Sequence, residues 1–146
     1  MKVIVQRSAK SSVSIDGKLV GKINKGLVLL VGFTAGDSIK DIEYIARKVV
    51  NLRIFDDDNG VMNKSILDTG GSILSVSQFT LYADTRKGNR PSYLKALNGE
   101  EATKLYDLFN QKLGEYVEVE TGVFGADMMV DIANDGPITI ILESGN

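Results

Sequence analysis

Apolar and polar residues alternate in two short runs on either side of Asp16-Gly17, in "VSIDGKLVGKI". A period of two marks half-buried strands, and Asp-Gly readily supplies the positive φ angles of a tight turn, so the pattern predicts a β-hairpin. "GLVLLVGF" is instead continuously apolar and bounded by glycines, as expected of a central strand buried on both faces. From Ser38 the period changes: Ile39, Ile42, Ile45, Ala46, Val49 and Val50 recur at helical spacing, and Ser38 with Asp41 has the form of a capping box. A second amphipathic helix is predicted from Asn98. Glu101 follows three residues on, Ala102, Leu105, Leu108, Phe109 and Leu113 form its apolar stripe, and Gly114 stops it.

Between the helices, the stretch from Gly71 through "SILSV" to Ser77-Gln78-Phe79-Thr80-Leu81 alternates hydroxyls with Ile, Leu, Val and Phe, which predicts a half-buried strand. "YVEVET", "ADMMVDIAN" and "ITIILE" read as three more strands, and Asn134-Asp135-Gly136-Pro137 has the composition of a hairpin turn between the last two. The 146 residues thus predict one α+β domain spanning 1–146, with a mostly antiparallel, barrel-like sheet and two packed amphipathic helices.

Composition narrows the function more than the fold. An apolar fraction of 43% with 25% charged residues is that of a globular chain with a real core. No apolar run reaches the ~20 residues of a membrane span, and "MKVIVQRSAK" lacks the features of a signal peptide, so no membrane partner and a cytoplasmic location are expected. With no cysteine, thiolate chemistry is excluded; with no histidine either, only carboxylates and carbonyls are left as metal ligands, and neither a zinc site, another metal nor a cofactor is expected. "FDDDNGVMNKS" lacks the final glutamate of a calcium loop, and Asp56, Asp57 and Asp58 read as a solvated turn. The net charge of -2 means that any nucleic acid must be met by a local patch. Arg86, Lys87 and Arg90, with Lys95 close by and only Asp84 opposing them, form such a patch. It reads equally as a solvated loop and as a set of phosphate contacts.

Ser77 and Thr80 lie three apart, so on a regular strand their side chains face opposite ways. A hydroxyl nucleophile needs a base, and neither histidine nor a neighbouring lysine is offered. Taken alone, these hydroxyls are ordinary strand residues. The Gly136-Pro137 bond can be cis at a cost of about 0.5–1 kcal/mol, and so tight a turn would aim its carbonyls outward, where they could read an amine.

"VIVQR" at Val3–Arg7, "GGSILSVSQFTL" ending at Leu81, "RPS" at Arg90–Ser92, "TGVFGADM" at Thr121–Met128 and "NDGPIT" at Asn134–Thr139 together resemble the D-aminoacyl-tRNA deacylases over essentially the whole chain. The resemblance implies hydrolysis of the ester joining a D-amino acid, or mischarged glycine, to the terminal adenosine of tRNA. It also implies a homodimer with its active site at the subunit interface, where Gly136-Pro137 in the cis form enters the partner's pocket and Arg7 braces that element. Phe124 and Met128 would flank the adenine, and the strand at Ser77, Gln78, Phe79 and Thr80 would lie against the ester. Tyr93 stands where the family commonly has phenylalanine. Backbone N–H groups at Phe79 and Thr80 could hold the oxyanion while the 2′-hydroxyl of the adenosine handles the proton, which would dispense with a histidine. A covalent Thr80 nucleophile, a noncatalytic RNA-binding module and a general small-molecule esterase are the competing expectations.

Overall fold

Val3 and Val5 of β1 (Lys2–Ser8), Leu27, Leu29 and Val31 of β4 (Gly26–Gly32) and Ile73 of β7 (Ser72–Ser77) are buried in one cluster. They share a sheet face because side chains on a strand alternate. Against that face pack Ile42, Ile45, Ala46 and Val49 of α1 (Ile39–Asn51) and Ala102, Tyr106, Phe109 and Leu113 of α3 (Gly99–Gly114). The structure is a computed structural model and describes residues 1–145. Both helices begin as their sequences predict. The Asp41 carboxylate accepts from the Ser38 N–H at 2.8 Å, and Asn98 Oδ1 accepts from the Glu101 N–H at 3.0 Å.

The main sheet has the order β10-β1-β4-β7-β8, in which β8 is Val119–Thr121 and β10 is Asn134–Glu143. β10, β1 and β4 pair antiparallel, whereas β4–β7 and β7–β8 are parallel. A smaller antiparallel sheet, β3 (Lys18–Ile23), β2 (Ser11–Ile15) and β9 (Met129–Asp131), contains the predicted hairpin, with Asp16 and Gly17 at positive φ. Its Val13 and Ile23 pack on Val28, Leu74 and Val76, on the face opposite the helices. β5 (Phe55–Asp56) and β6 (Met62–Lys64) form a ribbon. The Asp57 carboxylate accepts from the N–H groups of Asn59 and Val61, an Asx-type turn like the one expected there.

Three expectations are corrected. The strand predicted to run through Leu81 ends at Ser77, and Phe79–Tyr82 is a 3₁₀ turn. Gln78 still donates its N–H to Val31 O at 2.7 Å, but the chain then folds back over Gly32, where a Cβ would lie 3.0 Å from Gln78 O. Alternation of residue types continues past the point where the ladder has no neighbour left to pair with. A third, single-turn helix, α2 (Ile66–Thr69), was not foreseen. It is capped by Asp68 on the Ser65 N–H and closed by Gly70 in the left-handed region. Finally, Asn134–Pro137 is not a hairpin turn, because β9 pairs with β2 and β10 with β1, so the two flanking strands belong to different sheets.

Candidate active site

β7 and β8 run side by side only as far as Ser75 and Thr121. Beyond that point the chains part, and the fork encloses a cavity of about 270 Å³. One wall is Val76, Ser77, Gln78 and Phe79; the other is Phe124 to Met128, with Val130. Five predicted site residues, Ser77, Gln78, Phe79, Phe124 and Met128, therefore converge although they lie far apart in sequence.

Tyr106 stands at the base of the fork. Its hydroxyl donates to the Ser75 carbonyl at 2.7 Å, and its ring lies 5.8 Å from that of Phe124. Burial pushes the phenol's pKa up, so the group stays a donor. Gly122 allows Met128 to approach, since a Cβ there would collide with the sulfur. The sequence reading missed Tyr106 because it falls on the apolar stripe of α3 and carries no local mark of its polar tip. It also missed Gly32, Gly122 and Asp127.

On the Ser77 side, the Thr80 hydroxyl receives a short hydrogen bond from the Gln78 amide, and no basic side chain is hydrogen-bonded to it among the described residues. The N–H groups of Phe79 and Thr80 lead the 3₁₀ turn, where no preceding turn offers a carbonyl, and no backbone acceptor meets them among the described residues.

The remaining candidates lie elsewhere. The Gly136–Pro137 peptide is cis. Its register with β1 jumps from Asn134–Ser8 to Thr139–Gln6, so Asp135–Ile138 bulge from the sheet edge. Asn134 closes the neck by donating to Arg7 O at 2.9 Å and Ile138 O at 3.0 Å. Gly136 has φ +121°, and a Cβ there would meet Ile138 at 2.7 Å. Arg7 is buried; it donates to Ile54 O at 2.8 Å, and its Nε lies 3.2 Å from Asp135 Oδ2, which ties the bulge to the core. β10 is separated from β7 by β1 and β4, and the bulge lies at the opposite end of the ladder from Ser77. Three strand spacings and several residues of rise put it on the order of 20 Å from its own chain's cavity.

In the basic loop, Asp84 and Ser92 exchange two backbone hydrogen bonds, 2.8 and 2.9 Å. The Arg86 guanidinium grips the Asp84 carboxylate, 2.7 Å at the closest, and holds its pKa well below the usual carboxylate range. Lys95 stands 3.6 Å from the same carboxylate. Lys87 and Arg90 are exposed and make no ion pair among the described residues.

The chain matches the family model described as D-Tyr-tRNA(Tyr) deacylase over residues 4–143, and it belongs to that family. It is 40% identical to a solved protein described as a c-Myc DNA unwinding element binding protein, with all of each chain covered and a TM-score of 0.95. A structure described as a probable eukaryotic D-amino acid tRNA deacylase shares the fold, with a TM-score of 0.80 over 97% of each chain at 17% identity. The chain is thus a hydrolase of the D-aminoacyl-tRNA ester, and tRNA is its substrate. Among the described residues no helix is long and apolar enough to cross a membrane.

Proposed function

We propose that this deacylase works as a homodimer in which the Gly136-Pro137 bulge of one copy meets the Ser77–Phe79 cavity of the other. The observation that carries the reading is the separation between the bulge and its own cavity. A second is the apolar row of exposed Ile141 and half-buried Ile4 and Leu30, which crosses the sheet in register and leads to Val76 on the cavity wall. The small sheet covers the Val28, Leu74 and Val76 end of this face, Leu30 packs at the edge of that cluster, and Ile141 stands outside it. A second copy seated on the open end would stand beside the cavity.

In this arrangement Phe124 and Met128 bind the terminal adenosine, and the ester lies along Ser77 to Thr80. Water attacks the ester carbonyl, the N–H groups of Phe79 and Thr80 hold the developing oxyanion, and the adenosine's 3′-oxygen leaves with a proton passed through its 2′-hydroxyl. One such donor is worth roughly 10²–10³ in rate, so neither a side-chain base nor a metal is needed. The carbonyls of Gly136 and Pro137 fix the substrate's amino group and exclude a side chain on the L side. Glycine, having none, is accepted. The site reads main-chain geometry, so many D-amino acids qualify. A cytoplasmic location, where charged tRNA is found, fits this role.

The test is deacylation of matched D-tyrosyl-, L-tyrosyl- and glycyl-tRNA. The expected result is turnover of the D and glycyl substrates and almost none of the L. Comparable rates on D and L, or full activity in a monomer, would sink the proposal.

A further inference from the structure

A second cavity, about 510 Å³, is lined by Asp84, Arg86, Lys87, Ser92 and Leu94. The ridge between the two is an aromatic pair: Phe79, which lines the first cavity, meets Tyr93 edge-on, with ring centroids 5.1 Å apart. Tyr93 sits between Ser92 and Leu94, both of which line the second. Leu94 is 95% exposed, which nothing in the packing of this chain explains. Asp84 occupies Arg86 and Lys95 at the loop base, which leaves Lys87 as the cation facing this cavity without an ion pair among the described residues.

We infer that the second cavity holds the nucleotide preceding the terminal adenosine of the tRNA, its base against Tyr93 and Leu94 and its phosphate at Lys87. This rests on the deacylase reading, which places the adenosine in the first cavity. A single-stranded end continuing from there crosses the Phe79–Tyr93 ridge, and exposed aromatic and apolar surface beside a free cation is what single-stranded nucleic acid requires. The bidentate Asp84 pair makes Arg86 a brace for the loop rather than a phosphate contact. Recognition by stacking and one charge is tolerant of base identity.

The experiment compares kcat/KM on D-tyrosyl-tRNA with kcat/KM on 2′(3′)-O-(D-tyrosyl)adenosine, which lacks the preceding nucleotide. In Leu94→Ser and in Lys87→Gln the tRNA-to-adenosine ratio is expected to fall about tenfold. Lys87→Gln alone should also flatten the salt dependence of tRNA binding, by about 0.7 in the log–log slope. Ratios equal to the wild type in both variants would overturn the second site and leave deacylation standing. A shift of Leu94→Ser from dimer to monomer in sedimentation would also overturn it, by assigning the surface to a second copy. Failure of the wild-type chain to cleave either substrate would bring down the deacylase reading itself, and this site with it.

Discussion

The Tyr106 hydroxyl donates to the Ser75 carbonyl at the residue where β7 and β8 separate. At this end of the shared ladder the carbonyl keeps only a long bond from the Gly122 N–H, 3.4 Å, and the phenol adds a second, shorter one while the ring props Phe124.

Tyr106→Phe keeps the ring and removes the donor. The unfolding free energy is expected to drop by about 0.5–1.5 kcal/mol, the net worth of one buried hydrogen bond, since the carbonyl keeps the Gly122 N–H. Urea unfolding with an unchanged m-value would check this. A loss of less than a few tenths of a kcal/mol would mean that the carbonyl finds another partner.

Gly32 lets the 79–82 turn lie against the end of β4. In Gly32→Ala the new methyl meets Gln78 O and Leu81, so the turn must shift. Deacylation should fall on the order of tenfold, because reacting groups tolerate little displacement. Stability should fall by only about 1 kcal/mol. Full activity in a folded variant would show that the turn's position is not critical.

Thr80 and the substrate hydroxyl form a paired test. Thr80→Ala should retain most activity, since its oxygen is already engaged by Gln78 and no base is hydrogen-bonded to it among the described residues. A tRNA ending in 2′-deoxyadenosine should instead react on the order of 10²-fold more slowly. An acyl-Thr80 species trapped by mass spectrometry, or unchanged turnover of the deoxy substrate, would reverse the assignment.

Ile141 is 63% exposed on the open sheet face. Ile141→Glu should leave the monomer folded, yet place a charge where the second copy is proposed to sit. Sedimentation should then show monomers, and activity should fall with dimer content. A stable, active Ile141→Glu dimer would move the interface elsewhere.

The sequence carried the elements whose signals are local. The Asp16-Gly17 turn, the buried run at Gly26–Gly32 and both long helices follow from periodicity and caps, and each forms where expected. What was not legible depends on partners distant in sequence. Nothing between Ser77 and Leu81 announces that the ladder stops, because the turn is set by contact with Gly32. β9 and β10 look like a hairpin, and only their pairing with β2 and β1 separates them. Within the site, the family motifs brought Phe124 and Met128 to notice, whereas Tyr106 acts through a carbonyl on another element and left no mark in the pattern.

The long outer strand β10 has one further consequence. An open strand edge is a template on which a foreign strand can add, the usual start of aggregation. Over Asp135–Ile138 that template is broken: Pro137 has no N–H to offer, and the bulged backbone presents no straight ladder. Beyond it the edge ends at Glu143, whose carboxylate lies 3.5 Å from the Lys2 ammonium. The Gly-Pro segment is therefore expected to hinder strand addition along this part of the edge. A chain in which Asp135–Ile138 is replaced by a flat, regularly paired strand should be more prone to form aggregates than to lose its fold.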